Sequence, residues 1–342
     1  MDKNIILDIS QLSFPWKTHD PFLFCAYHKD KYPKGNENLG PNVSLKGRDI
    51  GQDFIVKDGF RMYHGDTVPG FPSHPHRGFE TITIAENGVV DHADSMGGAG
   101  RFGKGDVQWM TAGKGIQHSE MFPLLNKDSE NPLEMFQVWL NLPRANKMVE
   151  PHFSMIWADT VPIINEKDNN GKSISIRLIT GKLKNTKAQT PAPNSWASNP
   201  ENDVTICTIR MEAGAEWILP KTSAEASRTL YFYRGNSLEI DGKSISVNNS
   251  ISLKTDEDAT IQCGSEDCFI LMLQGKPINE PVAQYGPFVM NTNAELQQTM
   301  NEYQRTQFGG CPWARRDQVH SRDKGCFALH SDGREELKQE IK

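Results

Sequence analysis

The sequence predicts an all-β protein that consists of two similar antiparallel β modules in tandem. Short runs rich in β-branched and aromatic residues recur between Gly, Asn, Asp and Pro breaks from about residue 54 onward, which is typical of an antiparallel sandwich or barrel. The 28 glycines and 20 prolines of the 342-residue chain favour a turn-rich globular protein over a disordered or coiled-coil one. The length also allows two domains, at roughly 100 to 200 residues each.

The β runs fall into two series that a polar segment separates. The first series covers residues 53–56, 60–63, 80–84, 106–110 and 134–140. A polar break at 165–172 and a Pro- and Asn-rich loop at 190–200 follow it. The second series covers residues 204–211, 229–233, 237–240, 259–262 and 268–273. Because a repeated series of strands most simply forms two similar modules, we expect domains 1–160 and 161–342.

One short helix is predicted near the C-terminus and is assigned to the second domain. Thr292 can cap its N-terminus, with Glu295 three residues later, which is the spacing of a capping box. The apolar positions that follow at helical spacing are Leu296, Met300 and Tyr303. Two glycines at 309–310 end the pattern. We expect the apolar stripe to pack in the core.

Composition excludes several classes of partner. The chain has 37 Lys and Arg against 43 Asp and Glu, a net charge of −6, so nucleic acid and anionic membranes are not expected to attract it. Its apolar runs are far shorter than the roughly 20 residues of a membrane-spanning helix. The six cysteines form no Cys-x-x-Cys pair, which indicates reduced thiols rather than a disulfide framework or a zinc knuckle. We expect a cytoplasmic protein.

The histidines indicate a metal site in the first module. None of the ten lies between residues 153 and 319, so the second module has no polyhistidine site in that stretch. His74 and His76 are separated by one residue, as are His118 and Glu120, and each pair shares one face of an extended strand. If the strands are neighbours, three imidazoles and one carboxylate converge. Such a set leaves about two open positions in an octahedral shell, which suits Fe(II), Mn(II) or Ni(II).

Other interpretations of these polar residues remain open. A lone His-x-His on a strand is commonly a hydrogen-bonded core or rim pair, and the second pair is what favours a metal. A closed structural zinc site would recruit cysteine, and none lies near either pair. His92 and Asp94 repeat the same spacing and could line a pocket entrance, but we expect them to face water at a strand end.

Several longer motifs resemble the pirin family. They are His-Pro-His-Arg-Gly-Phe-Glu-Thr at 74–81, Gly-Asp-Val-Gln-Trp-Met-Thr-Ala-Gly-Lys-Gly-Ile-Gln-His-Ser-Glu at 105–120, 136–143, 286–292 and 308–310. The resemblance implies a bicupin, two tandem cupin β-barrels with a single metal in the N-terminal barrel. The residues that match the family's ligands are His74, His76, His118 and Glu120. Glu80 then has a supporting role and is not a ligand, with an ion pair to Arg77 or to another rim charge as its expected contact.

The resemblance also implies a function. Some pirins are quercetin 2,3-dioxygenases, so a flavonol or related aromatic is the expected substrate, with O₂ as co-substrate and Glu120 as both ligand and general base. Fe(II) is the first choice of metal, with Mn, Ni, Cu or Zn as alternatives. The second interpretation is a non-enzymatic, redox-sensing regulator that binds a transcription factor or metabolic enzyme. A third is metal-dependent chemistry without O₂. Added segments around 30–50 and 305–342 are expected to reshape the pocket mouth.

Overall fold

The computed structural model of the protein describes residues 5–338, so the first four and last four residues of the predicted domains lie outside it. Apart from one α-helix and five short 3-10 helices, the regular elements described are β-strands. The all-β prediction is therefore confirmed. No helix in the described part of the chain is long and apolar enough to span a membrane.

The strands occur along most of the chain. The predicted runs 53–56 and 60–63 are not strands, because the backbone between residues 32 and 70 forms only isolated bridges, such as Asp53 with Tyr63. In the first part they are β1 (Ile6–Gln11), β2 (Phe22–Tyr32), β3 (Gly70–His76), β4 (Phe79–Asn87), β5 (Val89–Asp94), β6 (Ala99–Gly103), β7 (Val107–Thr111), β8 (Ile116–Met121), β9 (Asn131–Asn141), β10 (His152–Ile156) and β11 (Ile163–Lys167). In the middle they are β12 (Ser173–Thr180), β13 (Lys182–Leu183), β14 (Thr186–Lys187), β15 (Thr205–Met211), β16 (Glu216–Leu219), β17 (Ser227–Arg234), β18 (Ser237–Ile240) and β19 (Lys243–Ser246).

The remaining elements complete the chain. They are β20 (Asn249–Leu253), β21 (Ala259–Cys263), β22 (Cys268–Gly275), β23 (Ala283–Tyr285), β24 (Phe288–Met290), α1 (Asn293–Thr306), β25 (Phe327–Leu329) and β26 (Glu335–Leu337). The 3-10 helices are Arg144–Asn146, Ala158–Thr160, Trp196–Ser198, Pro200–Asn202 and Gln307–Gly309.

The chain forms two compact units, but their ranges are not the contiguous ones expected. The unit that we call the histidine unit contains Tyr27–Val138, Leu142–Ala158 and residues 280–338. The companion unit contains residues 5–26, Trp139–Asn141 and Asp159–Asn279. The observed partition thus differs from 1–160 and 161–342 at both ends. Strand pairing explains the difference, because β1 pairs with β20 of the companion unit and β25 pairs with β6 of the histidine unit.

The companion unit contains a seven-stranded sheet, in the order β1-β20-β17-β22-β15-β12-β11, and a four-stranded sheet, in the order β16-β21-β18-β19. Its inward positions are apolar. One row runs across five strands in register through Ile251, Leu230, Met272, Cys207 and Leu178, and all five side chains are fully buried. Burial of each large aliphatic side chain in such a row contributes about 1.5–3 kcal/mol. This unit therefore owes its stability to a hydrophobic interior.

The histidine unit contains a six-stranded sheet, in the order β26-β25-β6-β5-β8-β3. A five-stranded sheet follows the order β10-β7-β4-β9-β2. A tight turn joins β3 to β4 at Gly78, where φ is +85° and an added Cβ would lie 1.9 Å from the carbonyl oxygen of Val289. Only glycine fits such a position. This turn takes the chain from the six-stranded sheet, in which β3 carries His74 and His76, into the five-stranded sheet that contains β4.

The predicted helix is confirmed as α1. Its cap is Thr292, whose hydroxyl oxygen accepts a hydrogen bond from the N–H of Glu295 at 3.2 Å. The apolar side of α1 buries Leu296 against a small cluster with Phe288 and Phe308, so the expectation of core packing is confirmed. The helix and the tail that follows belong to the histidine unit, so the prediction that they are part of the second domain is wrong.

Candidate metal centre

Three histidines meet on adjacent strands of the histidine unit. His74 and His76 lie on β3, and His118 lies on β8, directly opposite His74 in the antiparallel register. One ligand atom from each side chain lies within 4.8 Å of the other two. Within residues 5–338, they form the one group of three or more His, Cys, Asp or Glu side chains with this spacing. The prediction that these three imidazoles converge is therefore confirmed, while their role as metal ligands stays a prediction.

The hydrogen bonding of His74 and His118 leaves ring nitrogens free to bind a metal. The Nδ1 atom of His74 lies 3.0 Å from the carbonyl oxygen of Pro72. Because a carbonyl oxygen only accepts, Nδ1 carries the proton and Nε2 keeps its lone pair. Neither ring nitrogen of the buried His118 has a hydrogen-bond partner among the described residues. A buried imidazole without a protein partner fits a metal ligand, since a metal would satisfy one of its nitrogens.

The charge state of the cluster also fits a metal. Burial lowers the pKa of His74 to about 4. It lowers the pKa of His76 and His118 well below the ordinary value, and neighbouring histidines lower both further. All three are therefore neutral at physiological pH, the form in which imidazole binds a divalent cation.

Glu120 lies beside the three histidines but outside their tight group. Its Oε2 atom is 3.8 Å from Nε2 of His118. The carboxylate is held by two donors, Thr83 Oγ1 at 2.8 Å from Oε1 and Gln137 Nε2 at 3.1 Å from Oε2. Burial raises the pKa of Glu120, while the bonds from Thr83 and Gln137 oppose that rise. Its role as fourth ligand and base stays a prediction.

Thr83 and Gln137 are site residues that sequence reasoning missed. They lie on β4 and β9, and both side chains are buried. A signal was available, since Gln137 interrupts a buried run from Met135 to Val138. A polar side chain among buried apolar ones requires a partner. The identity of that partner depends on the pairing of distant strands, which the local pattern does not reveal.

His92 and Asp94 are buried, so the expectation that they face water is wrong. His92 lies opposite Glu120 on β5, and its Nε2 atom is 3.0 Å from Oδ2 of Asp94. Burial disfavours the ionised carboxyl of Asp94, but the bond from His92 and two backbone N–H groups hold its pKa below the ordinary value. The two residues therefore extend the polar interior beyond the three histidines.

The supporting role of Glu80 takes a different form from the one expected. Its Oε1 atom accepts a hydrogen bond of 2.7 Å from Thr111. Arg77 pairs instead with Glu302 of α1, at 2.9 Å. The turn after β3 directs Arg77 toward the helix, so the local spacing of residues 77 and 80 did not determine the pairing.

The C-terminal tail contacts the strand that carries two of the histidines. The backbone N–H of Ser73 donates to the carbonyl of Arg316 at 2.7 Å, and the guanidinium of Arg316 donates to the Ser73 carbonyl at 2.7 Å. Trp313 donates its indole N–H to the carbonyl of Asp94 at 2.8 Å. The tail therefore lies beside the site, on β3 and β5.

Comparison with known proteins agrees with this architecture. Residues 11–140 match the family described as Pirin, and residues 206–309 match the Pirin C-terminal cupin domain. The crystal structure of quercetin 2,3-dioxygenase from Acinetobacter baumannii superposes with a TM-score of 0.70 and 27% identity. The superposition covers 90% of this chain and 99% of the Acinetobacter baumannii chain. The bicupin prediction is thereby confirmed.

Two sequence relatives match over most of their lengths. A Pseudomonas aeruginosa protein named “Putative quercetin 2,3-dioxygenase” is 34% identical over 253 residues, which cover 73% of this chain and 84% of the relative. The protein named Pirin from Rattus norvegicus is 31% identical over 285 residues, which cover 80% of this chain and 90% of the relative. With three convergent histidines at the family motif and both family domains matched, the chain belongs to the pirin family.

Proposed function

We propose that this protein is a metal-dependent dioxygenase of the quercetin 2,3-dioxygenase type. One observation carries the proposal: three neutral imidazoles, one half-buried and two buried, offer ligand atoms within 4.8 Å of one another, with a carboxylate 3.8 Å from one of them. The relatives from Pseudomonas aeruginosa and Acinetobacter baumannii, whose names give this activity, support the choice of reaction. The expected substrate is a flavonol or a related aromatic, together with O₂.

His74, His76 and His118 would hold the metal, and Glu120 would complete the set. When bound, a divalent transition metal, with Fe(II) as the first choice, supplies a Lewis acid and a redox centre for O₂ chemistry. The proposal assigns the metal to the histidine unit alone. The apolar inward positions of the companion unit, such as Leu230 and Met272, support that assignment.

Glu120 would move the proton. Its Oε2 atom would accept the proton of the substrate hydroxyl. Burial raises the pKa of Glu120, which strengthens it as a base in the range where a general base is useful. Thr83 and Gln137 would hold the carboxylate in one orientation through their hydrogen bonds at 2.8 and 3.1 Å. A fixed carboxylate lowers the entropic cost of reaching the hydroxyl.

Apolar side chains around the histidines would orient an aromatic ring and exclude water. The ring of Phe79 is 5.2 Å from that of His76, and the ring of Phe71 is 6.3 Å from that of His74. Phe79 is fully buried. Such walls favour a flat aromatic substrate and strengthen electrostatic contacts at the site.

The test is direct. Protein loaded anaerobically with Fe(II), Mn(II), Ni(II) or Cu(II) is mixed with quercetin in air, and flavonol absorbance and O₂ uptake are followed. We expect flavonol absorbance to fall together with the O₂ concentration in at least one metal form. The Glu120→Gln variant should retain measurable metal and lose turnover, because the amide cannot accept the proton. If no metal form consumes O₂ with any flavonol, the proposal is wrong.

Stoichiometric capture of a partner protein only by the metal-loaded form would favour the regulatory alternative.

A further inference from the structure

Two cysteines face each other at a corner of the companion unit. Cys263 ends β21, which belongs to the four-stranded sheet, and Cys268 begins β22, which belongs to the seven-stranded sheet. The loop 264–267 joins them. Both thiols therefore lie where the chain passes from one sheet to the other.

The contacts of the two sulfur atoms interleave. Both approach the carbonyl oxygen of Glu266, Cys263 Sγ at 3.0 Å and Cys268 Sγ at 3.7 Å. Cys263 Sγ also lies 3.6 Å from the carbonyl of Met211, which is paired in register with Cys268. Cys268 Sγ lies 3.3 Å from the carbonyl of Ser237, next to the residue paired with Cys263. Each thiol thus reaches toward the other's strand, and the two sulfurs lie against the same carbonyl oxygen.

The two thiols are not equivalent. Cys263 retains 3% of its surface, whereas Cys268 is fully buried. The neighbouring thiol of Cys268 lowers the pKa of Cys263, and the thiol of Cys263 raises the pKa of Cys268. Cys207, buried elsewhere in the same unit, has its pKa raised to about 12 by burial. Cys263 is therefore the better nucleophile of the pair, since the thiolate is the reactive form.

We propose that Cys263 and Cys268 form a reversible intrachain disulfide when the protein meets hydrogen peroxide. The Cys263 sulfur attacks one peroxide oxygen, the O–O bond breaks, and a sulfenic acid and water form. The Cys268 sulfur then attacks the sulfenic sulfur, its proton goes to the departing hydroxyl, and a second water leaves. Two thiols are oxidised by two electrons in total, and one peroxide is reduced to two waters. A thiol reductant reverses the bond by exchange.

The disulfide would join the two sheets of the companion unit covalently. Because the closed segment is short, the bond constrains the unfolded chain only weakly, and its main effect is to lock the loop 264–267. The inference does not depend on the dioxygenase proposal, since the three histidines belong to the histidine unit.

The full-length protein is treated with hydrogen peroxide while it is folded. It is then acidified, its free thiols are alkylated, and the chain is cleaved on the carboxyl side of Glu266, between the two cysteines. We expect the two fragments to remain joined, with a mass lower by two hydrogens, and to separate after dithiothreitol. Cys207 should remain fully alkylated, as a matched buried thiol of the same unit. In the Cys268→Ser variant, a dimedone adduct should appear on Cys263, because the second thiol is missing.

Separate, fully alkylated fragments after a peroxide dose that oxidises the exposed Cys311 would overturn the proposal. So would a disulfide that joins either cysteine to a different partner. The main measurement uses the unmodified chain, so it does not depend on a variant that folds poorly. Circular dichroism before acidification verifies that the oxidised protein is still folded.

Discussion

Gln137 donates a hydrogen bond of 3.1 Å to Oε2 of Glu120, across a separation of 17 residues in the chain. Both side chains are buried. The opposite carboxylate oxygen accepts from Thr83. The proposed fourth ligand is thus fixed from two sides by uncharged donors, so its orientation depends on residues that would not themselves touch the metal.

The Gln137→Leu variant should weaken metal binding. Loss of the amide frees Oε2 of Glu120 to rotate and leaves the buried carboxylate with fewer donors. Removing such a support of a metal ligand typically costs 10–100-fold in affinity, and we expect a loss on the order of tenfold. Competition with a chromophoric chelator measures the dissociation constant. Thr83→Val is the matched variant on the other oxygen. Unchanged affinity in both would show that Glu120 is not a ligand.

The His118→Ala variant should lose the metal. A ligand that binds only the folded state raises thermal stability, so added Fe(II) or Ni(II) should raise the melting temperature of the natural protein. The variant should show no such rise, and elemental analysis should find no metal in it. The control is His152→Ala, because His152 is an exposed histidine of β10. A metal-dependent rise in the His118→Ala variant would contradict the proposed site.

The buried Lys147 should make stability depend on pH above neutrality. Its Nζ donates to the carbonyl of Gly78 at 2.9 Å, and burial lowers its pKa to about 8. An unfolded lysine has a pKa of about 10.4. Between these values the unfolded chain binds a proton that the folded chain has released, so stability rises with pH.

Urea unfolding at pH 7 and pH 9.5 tests this relation. Relative to Lys147→Met, which has no proton to lose, the natural protein should gain about 2 kcal/mol in unfolding free energy over this interval. The comparison cancels the titration of other groups. Parallel pH profiles of the two proteins would show that Lys147 does not titrate in this range.

The ion pair between Asp91 and Arg101 should be essential for stability. Both side chains are buried, and the guanidinium donates to the two carboxylate oxygens at 2.6 and 2.8 Å. Asp91→Asn leaves a buried cation without its counter-charge, which costs about 3–5 kcal/mol. Chemical denaturation measures the loss. The exposed pair of Glu37 and Lys127 is the control, and Glu37→Gln should leave the denaturation midpoint unchanged.

Arg101 also ties the C-terminal tail to the histidine unit. It donates to the backbone carbonyls of His320, Ser321 and Lys324. The Asp91→Asn variant should therefore be cleaved more rapidly by proteases within the tail, since the displaced guanidinium no longer holds these carbonyls. Equal cleavage rates in the variant and the natural protein would show that the tail is held by its other contacts.

The local sequence predicted the parts of the site that lie close together in the chain. His74 and His76 share a strand face because alternate residues of any extended strand do, and the helix α1 follows from its cap and its apolar spacing. The pairing of β3 with β8 places His118 beside these two histidines. The sequence indicated this arrangement through the His-x-Glu pattern at 118–120. The predictions for His92 and Arg77 were wrong, because the surroundings of these side chains depend on how the strands and the helix pack.

The sequence by itself determined the all-β class, the helix, the family and the shared strand face of His74 and His76, because alternation and capping act over a few residues. Only the tertiary structure decided that β1 and the C-terminal tail change units, that Thr83 and Gln137 hold Glu120, and that Cys263 meets Cys268. These relationships depend on strand order, register and burial. Such properties arise from contacts between segments far apart in the chain, where no local periodicity records them.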